Sequence, residues 1–368
     1  MATAIRLSPT LSFYIARRFA LSFLIVLFGI AAMVFVLDVI ELMRRAASHA
    51  DVSIGLLLKM ALLKLPFMIE KLIPFAVLFG SLHTYWRLTR FHELVVTRSA
   101  GVSVWQFLLP SVGVAALMGA FTITAFNPIA SAMLGSYNQL EGRYILGRTS
   151  LLAVSSSGLW LRQADENGQM VLHASHMVQE SMEMQNVIVF SFDNANRFVG
   201  RLDAEEARLE NGEWVLRDVL LTGPGRPATT EPEMRLKTDW TPAKIQDSFA
   251  APETLSFWEL PSFIRVLTTA GFSATRHRLH WQTLLALPAL LGALVLIGAS
   301  FSLRPARQGG VAMLVIAGIS FGFLLFFLSD VVQALGMSAT IPVMLAAWTP
   351  ATFAAMIGGA ILLHLEDG

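Results

Sequence analysis

Long apolar runs alternate with short charged segments along most of this chain. An α-helix needs roughly 20 residues to cross about 30 Å of hydrocarbon, and six runs reach that length. We therefore predict six transmembrane helices, at residues 19–40, 54–82, 102–126, 280–303, 311–332 and 341–364. The runs form two groups of three, one on each side of a long polar stretch.

The polar stretch between the two groups carries a different pattern. Segments such as "NVIVFSFD" and "RLENGEWVLRDVLLTG" are β-like, and the pairs Asn167-Gly168 and Asn211-Gly212 lie between strand-like arms. Asn-Gly between alternating arms is a strong hairpin signal. The chain is therefore predicted to have an N-terminal membrane domain (1–127), an antiparallel β domain with linkers (128–278) and a C-terminal membrane domain (279–368).

Composition supports a polytopic α-helical membrane protein and argues against most enzyme classes. Hydrophobic residues make up 55% of the chain and the mean hydropathy is +0.60, which is too apolar for an ordinary soluble protein. A net charge of +1 gives no reason to expect nucleic acid, and the absence of cysteine excludes thiolate chemistry. No phosphate-binding loop is present, and "HELVV" lacks the second histidine of a zinc protease. We predict no catalytic residues, no metal and no cofactor.

Basic residues in the short loops predict the orientation of the helices. They lie before the first span, between the second and third, and between the fourth and fifth: Arg6, Arg17, Arg18, Arg87, Arg90, Arg98, Arg304 and Arg307. By the positive-inside rule this side is the cytoplasm. Both termini are then cytoplasmic and the β domain lies outside. Arg44 and Arg45 fall on the outer side, against the rule.

These misplaced arginines and two lysines in the second span form the first candidate site. Charged side chains inside a span are costly and usually face a cavity or a partner. One hypothesis is a cationic surface that attracts an anionic amphiphile, with the candidates Arg44, Arg45, Lys64, Lys71, Arg143, Arg276 and Arg278. The other is structural: Lys64 reaches outward to the interface, Lys71 pairs with Asp38 or Asp330, and the arginines are only solvated.

The second candidate is the charged island "RLTRFHELVVTRSAGVSVW" between the second and third spans. It is either a basic inner loop or a short helix, about residues 87–101, that lies along the membrane. As a helix it would place Leu94, Val95 and residues 98–100 against a soluble partner, and Gly101 would end it. Residue chemistry alone leaves both possibilities open.

Four segments give the chain a resemblance to a known family. "ELVVTRSAGVS", "LPFMIEKLIPFAVLFG", "FWELPSFIRVL" and "GISFGF" resemble the LptF/LptG permeases of the lipopolysaccharide exporter, over essentially the whole chain. The segments "YIARRF" and "DVIELMRR" are more similar to the LptG branch than to the LptF branch.

The resemblance implies a half-permease of the bacterial inner membrane that has no ATPase of its own. It would pair with LptF, dock on a dimer of the ATPase LptB, and pass lipopolysaccharide to LptC and the LptA bridge. Its β domain would be a periplasmic jellyroll. Alternation along the strands makes these residues the candidates for its apolar inner face: Trp160, Val189, Phe192, Trp214 and Leu216. The residues that couple it to the ATPase would be Glu93, Leu94, Arg98, Ser99 and Gly101, and cations such as Arg44 and Arg45 would hold the lipid phosphates.

Three alternatives stay open. The chain could be the LptF paralogue of the same complex. It could also be an ABC permease of the four-span type that carries another substrate. A third hypothesis is a membrane scaffold that assembles partners through its β domain and transports nothing.

Overall fold

The computed structural model describes residues 8–47, 53–99, 101–145, 151–155, 158–165, 168–178, 183–193, 197–210, 212–238, 241, 250–303 and 311–367. The chain divides into two compact units. The first comprises Met1–Asn138 and Arg278–Gly368, and the second comprises Gln139–His277. The first is helical, and the second contains a β-sheet.

Nine α-helices are present in the described residues. The first five precede the sheet: α1 (Pro9–Ala46), α2 (Ile54–Arg90), α3 (Glu93–Ser99), α4 (Val104–Phe121) and α5 (Asn127–Tyr144), with a π-helical turn, Thr122–Phe126, between the last two. The other four follow it: α6 (Leu260–Thr269), α7 (Thr275–Ser302), α8 (Val311–Met337) and α9 (Val343–Asp367).

Five helical segments of the described chain are long and apolar enough to cross a membrane. They are Pro9–Ala46, Val104–Tyr144, Thr275–Ser302, Ile316–Met337 and Val343–His364. The remaining predicted span lies in α2, which has 37 residues and hence a length of about 55 Å, although Lys64, Glu70 and Lys71 interrupt its apolar sequence. The prediction of a polytopic helical membrane protein with an inserted β domain is confirmed.

Helices α1 and α2 pack closely along much of their length. A Cβ atom at Gly80 would lie 2.9 Å from the Cα of Phe23, so only glycine allows the two backbones this approach. Small residues at helix contacts are the usual device in membranes, where no hydrophobic force drives helices together. Phe19 and Tyr85 are fully buried nearby, whereas Phe28 is 69% exposed on the outer surface of α1. Apolar residues therefore cover both the interior and the exterior, as lipid contact requires.

The β domain is one antiparallel sheet of seven strands, paired in chain order. The strands are β1 (Leu151–Ser155), β2 (Gly158–Asp165), β3 (Gly168–Val178), β4 (Glu183–Phe192), β5 (Phe198–Glu210), β6 (Glu213–Gly223) and β7 (Arg226–Lys237). This connectivity is an up-and-down meander, because every strand pairs with its neighbour in sequence. It differs from the two Greek keys that define a jellyroll.

The two predicted Asn-Gly turns fall at strand ends. Gly212 has a left-handed φ of +81° and precedes β6, and Gly168 begins β3. Asn167 and Asn211 lie outside the described residues. Glycine tolerates the positive φ that a tight hairpin needs.

One face of the sheet is apolar and buried. Val189, Trp214 and Leu216 lie on it, with exposures of 1% or less. Helix α6 contributes Leu267 to the same cluster, and its residue Phe263 packs against it. The interior predicted for the β domain is therefore closed in part by a helix of the same unit.

The turn that precedes helix α6 is closed by hydrogen bonds between Ser256 and Glu259. Ser256 accepts a hydrogen bond from the backbone N–H of Glu259, and the Glu259 carboxylate accepts from both the hydroxyl and the backbone N–H of Ser256. The Ser256 hydroxyl, together with that N–H, lowers the pKa of Glu259. This arrangement pairs the backbone N–H groups of Ser256 and Glu259 just before the helix starts, with the reciprocal pattern of a capping box.

Two of the residues predicted for the interior lie elsewhere. Trp160 pairs across strands with His173 rather than with the buried residues, and their rings are 4.3 Å apart. It projects to the face opposite Leu159 and Leu161, because neighbouring residues of a strand point to opposite sides. Phe192 is half-buried at an irregularity in the pairing with β5, where its ring meets that of Phe198.

Candidate functional site

The outer-side arginines of α1 share one carboxylate. Glu41 accepts two hydrogen bonds from Arg44 and one from Arg45, each 2.8 Å long. Their spacing of three and four residues puts all three side chains on one helix face. Arg44 and Arg45 are exposed and Glu41 is half-buried, so the pairs are open to solvent or to a ligand. Glu41 was not among the predicted site residues, although its spacing from the arginines was a usable signal.

A second ion pair joins α1 to α2. The Lys64 ammonium donates a hydrogen bond of 2.5 Å to Asp38 Oδ1 and lies 5.4 Å from the centre of the Tyr137 ring. Asp38 is 7% exposed. The structural hypothesis paired Asp38 with Lys71; the structure instead pairs it with Lys64, which does not reach outward. The reason is the register of α1 against α2, which sequence does not reveal.

Together these five residues form what we call the α1 charge cluster: Asp38, Glu41, Arg44, Arg45 and Lys64. Asp38 and Glu41 are three residues apart and so share a face of α1. The cluster contains three cations and two carboxylates, and carries one net positive charge. Each cation therefore already has an anionic partner within the subunit, and the cluster differs from the bare cationic surface that the sequence suggested.

Lys71 lies elsewhere in the membrane unit. It lines a cavity of about 260 Å³ between α2, α7, α8 and α9, as does Asp330. Its ammonium is 5.4 Å from the centre of the Phe67 ring, and it makes no salt bridge with the residues described. The neighbouring Glu70 accepts hydrogen bonds from the Asn127 amide on both oxygens. The proposed Lys71–Asp330 pair is therefore absent here.

The three remaining candidate cations have separate local settings. Arg143 is in the last turn of α5, with its guanidinium 5.5 Å from the Tyr144 ring centre. Arg276 and Arg278 are exposed near the start of α7. None of these three belongs to the α1 charge cluster.

The charged island contains a helix that is shorter than predicted. Helix α2 continues through Arg90, and the chain turns at His92, which has a left-handed φ of 58°. Helix α3 then begins at Glu93, so the predicted start near residue 87 is wrong. Helix α2 extends beyond the predicted membrane span because its apolar and aromatic positions continue there. It ends only just before His92, where the backbone turns.

Glu93 is tied to the start of α1. Its Oε2 accepts a hydrogen bond of 2.9 Å from the Tyr14 hydroxyl, and Arg18 Nε donates to that hydroxyl over 3.3 Å. The three side chains line a small cavity between α1 and α2. No cation forms a salt bridge with Glu93 in the part of the chain that the structure describes. Its charge is thus hydrogen-bonded but not neutralised, and Tyr14 was missed because 79 positions separate it from Glu93.

The other predicted coupling residues have different surroundings. Leu94 is 6% exposed and belongs to the core of the membrane unit, so the prediction that it faces a partner is wrong. Val95 and Val96 are exposed instead, as are Arg98 and Ser99. Within α3 only Leu94 is buried, because one side of the helix packs on the membrane unit and the neighbouring side chains point away from it.

Gly101 lies just beyond the end of α3. Its φ is +83°, and its N–H donates to the carbonyl of Arg98. A glycine in the left-handed region that bonds back to the last turn is a common helix end.

Comparison with known proteins identifies the family of this chain. The family model described as "Lipopolysaccharide export system permease LptF/LptG" matches residues 13–364. This chain belongs to the LptF/LptG family. Membership of this family, with its apolar helices, makes it a multi-pass inner-membrane protein and a transport subunit rather than an enzyme.

Three similar proteins carry the LptG name. The chain is 23% identical to the lipopolysaccharide export system permease protein LptG of Escherichia coli K12 over 343 aligned residues. The alignment covers 92% of this chain and 93% of that protein. The LptG of Escherichia coli O6:H1 gives the same values. LptG of Haemophilus influenzae is 23% identical over 298 residues, 78% of this chain and 80% of its own length.

Proposed function

We propose that the chain is the LptG-type subunit of a permease that extracts lipopolysaccharide from the inner membrane. The observation that carries this proposal is the family match, which extends over both helical groups and the sheet between them. The LptG name of the relatives favours this branch over LptF. A four-span permease does not fit a chain with this number of membrane-length helices.

The partners follow from the family. The subunit pairs with LptF, and a dimer of LptB hydrolyses ATP for it, while LptC and the LptA bridge receive the lipid. Both termini and α3 face the cytoplasm, and the β domain, within residues 128–278, faces the periplasm. The supporting observation is the placement of basic residues in the short loops.

The α1 charge cluster is the proposed site for the lipid phosphates. Four of its members lie in the last turns of α1, on the side predicted to be periplasmic, and two of them, Arg44 and Arg45, are exposed. Guanidinium groups bind phosphate through paired, charge-assisted hydrogen bonds. Exposed apolar residues of α1, such as Val36, Leu37 and Ile40, supply contacts for acyl chains beside the cations. Arg143, Arg276, Arg278 and Lys71 are secondary candidates.

Helix α3 is the proposed contact with the ATPase. Glu93 makes no salt bridge with the residues described, and Val95, Val96, Arg98 and Ser99 are exposed beside it. A basic residue of LptB that meets Glu93 would form a pair that is partly removed from water. Reversal of one charge in such a pair is costly, because the other charge stays buried beside a like charge.

The buried face of the β domain is the proposed path of the lipid toward the bridge. Val189 and Leu216 lie on that face, and Trp160 lies on the opposite one, which supplies a matched control. Photo-crosslinkers at positions 189 and 216 should capture lipopolysaccharide in an ATP-dependent way, and one at position 160 should not. Equal capture at all three positions, or capture that ignores ATP, would count against the path.

Reconstitution tests the function as a whole. The chain is assembled with LptF and LptB in vesicles that contain lipopolysaccharide, and ATP-dependent transfer to soluble LptA is measured. Transfer that requires this chain supports the proposal. A complex that assembles and hydrolyses ATP but transfers no lipid would favour the scaffold hypothesis.

A further inference from the structure

The two carboxylates of the α1 charge cluster have no role in a site that only captures phosphate. Asp38 and Glu41 lower the positive charge that a phosphate would meet. Their placement is nevertheless specific: Glu41 binds both arginines through its two oxygens, and Asp38 binds Lys64. A site built for the tightest possible capture would leave these positions neutral.

We propose that Asp38 and Glu41 are internal counter-ions that exchange with the lipid phosphates, holding the cations when the site is empty and allowing the lipid to leave. This inference rests on the proposed function. In the empty state the carboxylates occupy the cations. On capture the phosphates replace them, and on release the carboxylates return. A transporter needs such reversibility, because a site that only binds tightly would retain its substrate.

The bonding of Asp38 supports an exchangeable pair. Within the described residues, its second oxygen, Oδ2, is buried without a hydrogen-bond donor. A fully held structural carboxylate would have donors on both oxygens, since an unpaired buried acceptor is costly. The pair with Lys64 therefore holds Asp38 through one oxygen only, which makes it easier to displace.

The bonding of Lys64 also supports an exchangeable pair. An ammonium group has three N–H donors, and Lys64 gives one hydrogen bond, to Asp38, and rests against the Tyr137 ring. Its side chain is 20% exposed, so a phosphate can approach it. A phosphate monoester carries a charge of about −1.5 to −2 near neutral pH, more than a carboxylate, and so competes for the cation.

The arginine pair allows the same exchange nearer the surface. Arg44 and Arg45 have side-chain exposures of 73% and 47%, and Glu41 has 37%. Exposed ion pairs of this type are weak, so a phosphate can replace Glu41 at little cost. On lipid binding, the phosphates would therefore replace carboxylates at all three cations of the cluster.

The test measures retention of lipid by the assembled complex in nanodiscs. Labelled lipopolysaccharide is loaded, the complex is washed, and loss of label is followed with time and after ATP addition. Asp38→Asn should slow the loss roughly tenfold and Glu41→Gln about two- to fivefold, because each variant removes the competitor that favours the empty state. Glu205→Gln, which removes one exposed charge from β5, should leave the rate unchanged.

A second arm uses lipopolysaccharide whose phosphates have been removed enzymatically. The slower release of both variants should disappear with this lipid. Wild-type release rates in Glu41→Gln and Asp38→Asn, or equal slowing with the dephosphorylated lipid, would overturn the exchange. The Glu41 side chain is 37% exposed, so its substitution remains informative even if Asp38→Asn prevents assembly.

The same experiment separates this inference from the proposed function. If Arg44→Glu with Arg45→Glu leaves capture intact, the phosphate site itself is wrong. If capture falls in that double variant but the carboxylate variants release lipid at the wild-type rate, only the exchange is wrong.

Discussion

Helix α1 carries a charged group near each end, and the two groups are built differently. Tyr14 and Arg18 lie near its start beside Glu93 of α3, and the α1 charge cluster lies in its last turns. From Tyr14 to Glu41 the helix rises about 40 Å. In the cluster, cations and carboxylates pair within the subunit. Near the start, the Glu93 carboxylate accepts a hydrogen bond from the Tyr14 hydroxyl, and no cation forms a salt bridge with it among the residues described.

The difference indicates what each group is suited to bind. The cluster can exchange an internal anion for an external one, which suits reversible capture of a phosphate. Glu93 needs no exchange, because its charge is still available to a basic partner while Tyr14 holds the side chain in place. One rigid helix therefore connects a site for an anion with a site for a cation.

The largest expected effect comes from reversing the charge of Glu93. Glu93→Lys should abolish ATP-dependent lipid release, because a lysine would meet both Arg18 and the basic residue proposed in LptB. Glu93→Gln should be milder, since an amide oxygen still accepts from Tyr14. Release assays and co-purification of LptB measure both variants. Wild-type release by Glu93→Lys would remove α3 from the coupling path.

Reversal of the arginine pair should have the next largest effect. Arg44→Glu with Arg45→Glu should lower lipid capture roughly tenfold or more, because two charge-assisted contacts become repulsive. LptB should still co-purify in normal amount, since the arginines lie far from α3 along the helix. Arg197→Glu, on the exposed surface of the β domain, is a control for charge reversal. Unchanged capture in the double variant would show that the arginines are only solvated and do not bind the lipid.

Both predictions depend on contacts that sequence revealed only in part. Hydropathy identified the spans, and Asn-Gly pairs identified the hairpins, because both signals are local. The Glu41–Arg44–Arg45 contacts could also have been predicted, since residues three and four apart on a helix are neighbours. The Asp38–Lys64 and Tyr14–Glu93 contacts were not, because each depends on how two helices pack.

The same limit explains the errors in the β domain and in α3. Alternation separates the two faces of a strand but does not say which is covered, and so Trp160 was placed on the wrong side. Phe192 lies at an irregularity that sequence did not show. Leu94 was assigned to the partner surface because a short helix has no clear apolar stripe, and only packing shows which residue is buried.

A smaller effect is expected when the Asp38–Lys64 pair is broken. Lys64→Met leaves a buried carboxylate without its partner and should lower the free energy of unfolding by about 1–3 kcal/mol. Adding Asp38→Leu should recover most of that loss, because replacing both members of a buried pair by apolar residues is often neutral. Thermal unfolding of the purified protein in detergent measures both. Equal destabilisation by the single and double variants would show that the pair itself contributes little.

The smallest effect should follow loss of one hydroxyl. Tyr14→Phe removes the hydrogen bond to Glu93 but keeps the ring, and a bond to a charged group contributes about 1.5–3 kcal/mol when buried, less here because Glu93 is only half-buried. We expect ATP-dependent release to fall about two- to tenfold with capture unchanged. Thr10→Val, an equally conservative change near the start of the same helix, should have no effect. A fall in capture by Tyr14→Phe would mean that the two groups are not separable.

Comparing lipid capture and lipid release in one set of vesicles tests most directly whether the two charged groups of α1 have separate roles. Wild type, Arg44→Glu with Arg45→Glu, and Glu93→Lys are reconstituted with LptF and LptB, and bound and ATP-released lipopolysaccharide are measured for each. We predict that the arginine variant loses capture and keeps LptB, and that the Glu93 variant keeps capture and loses release. Loss of both activities in each variant, or of neither, would contradict this prediction.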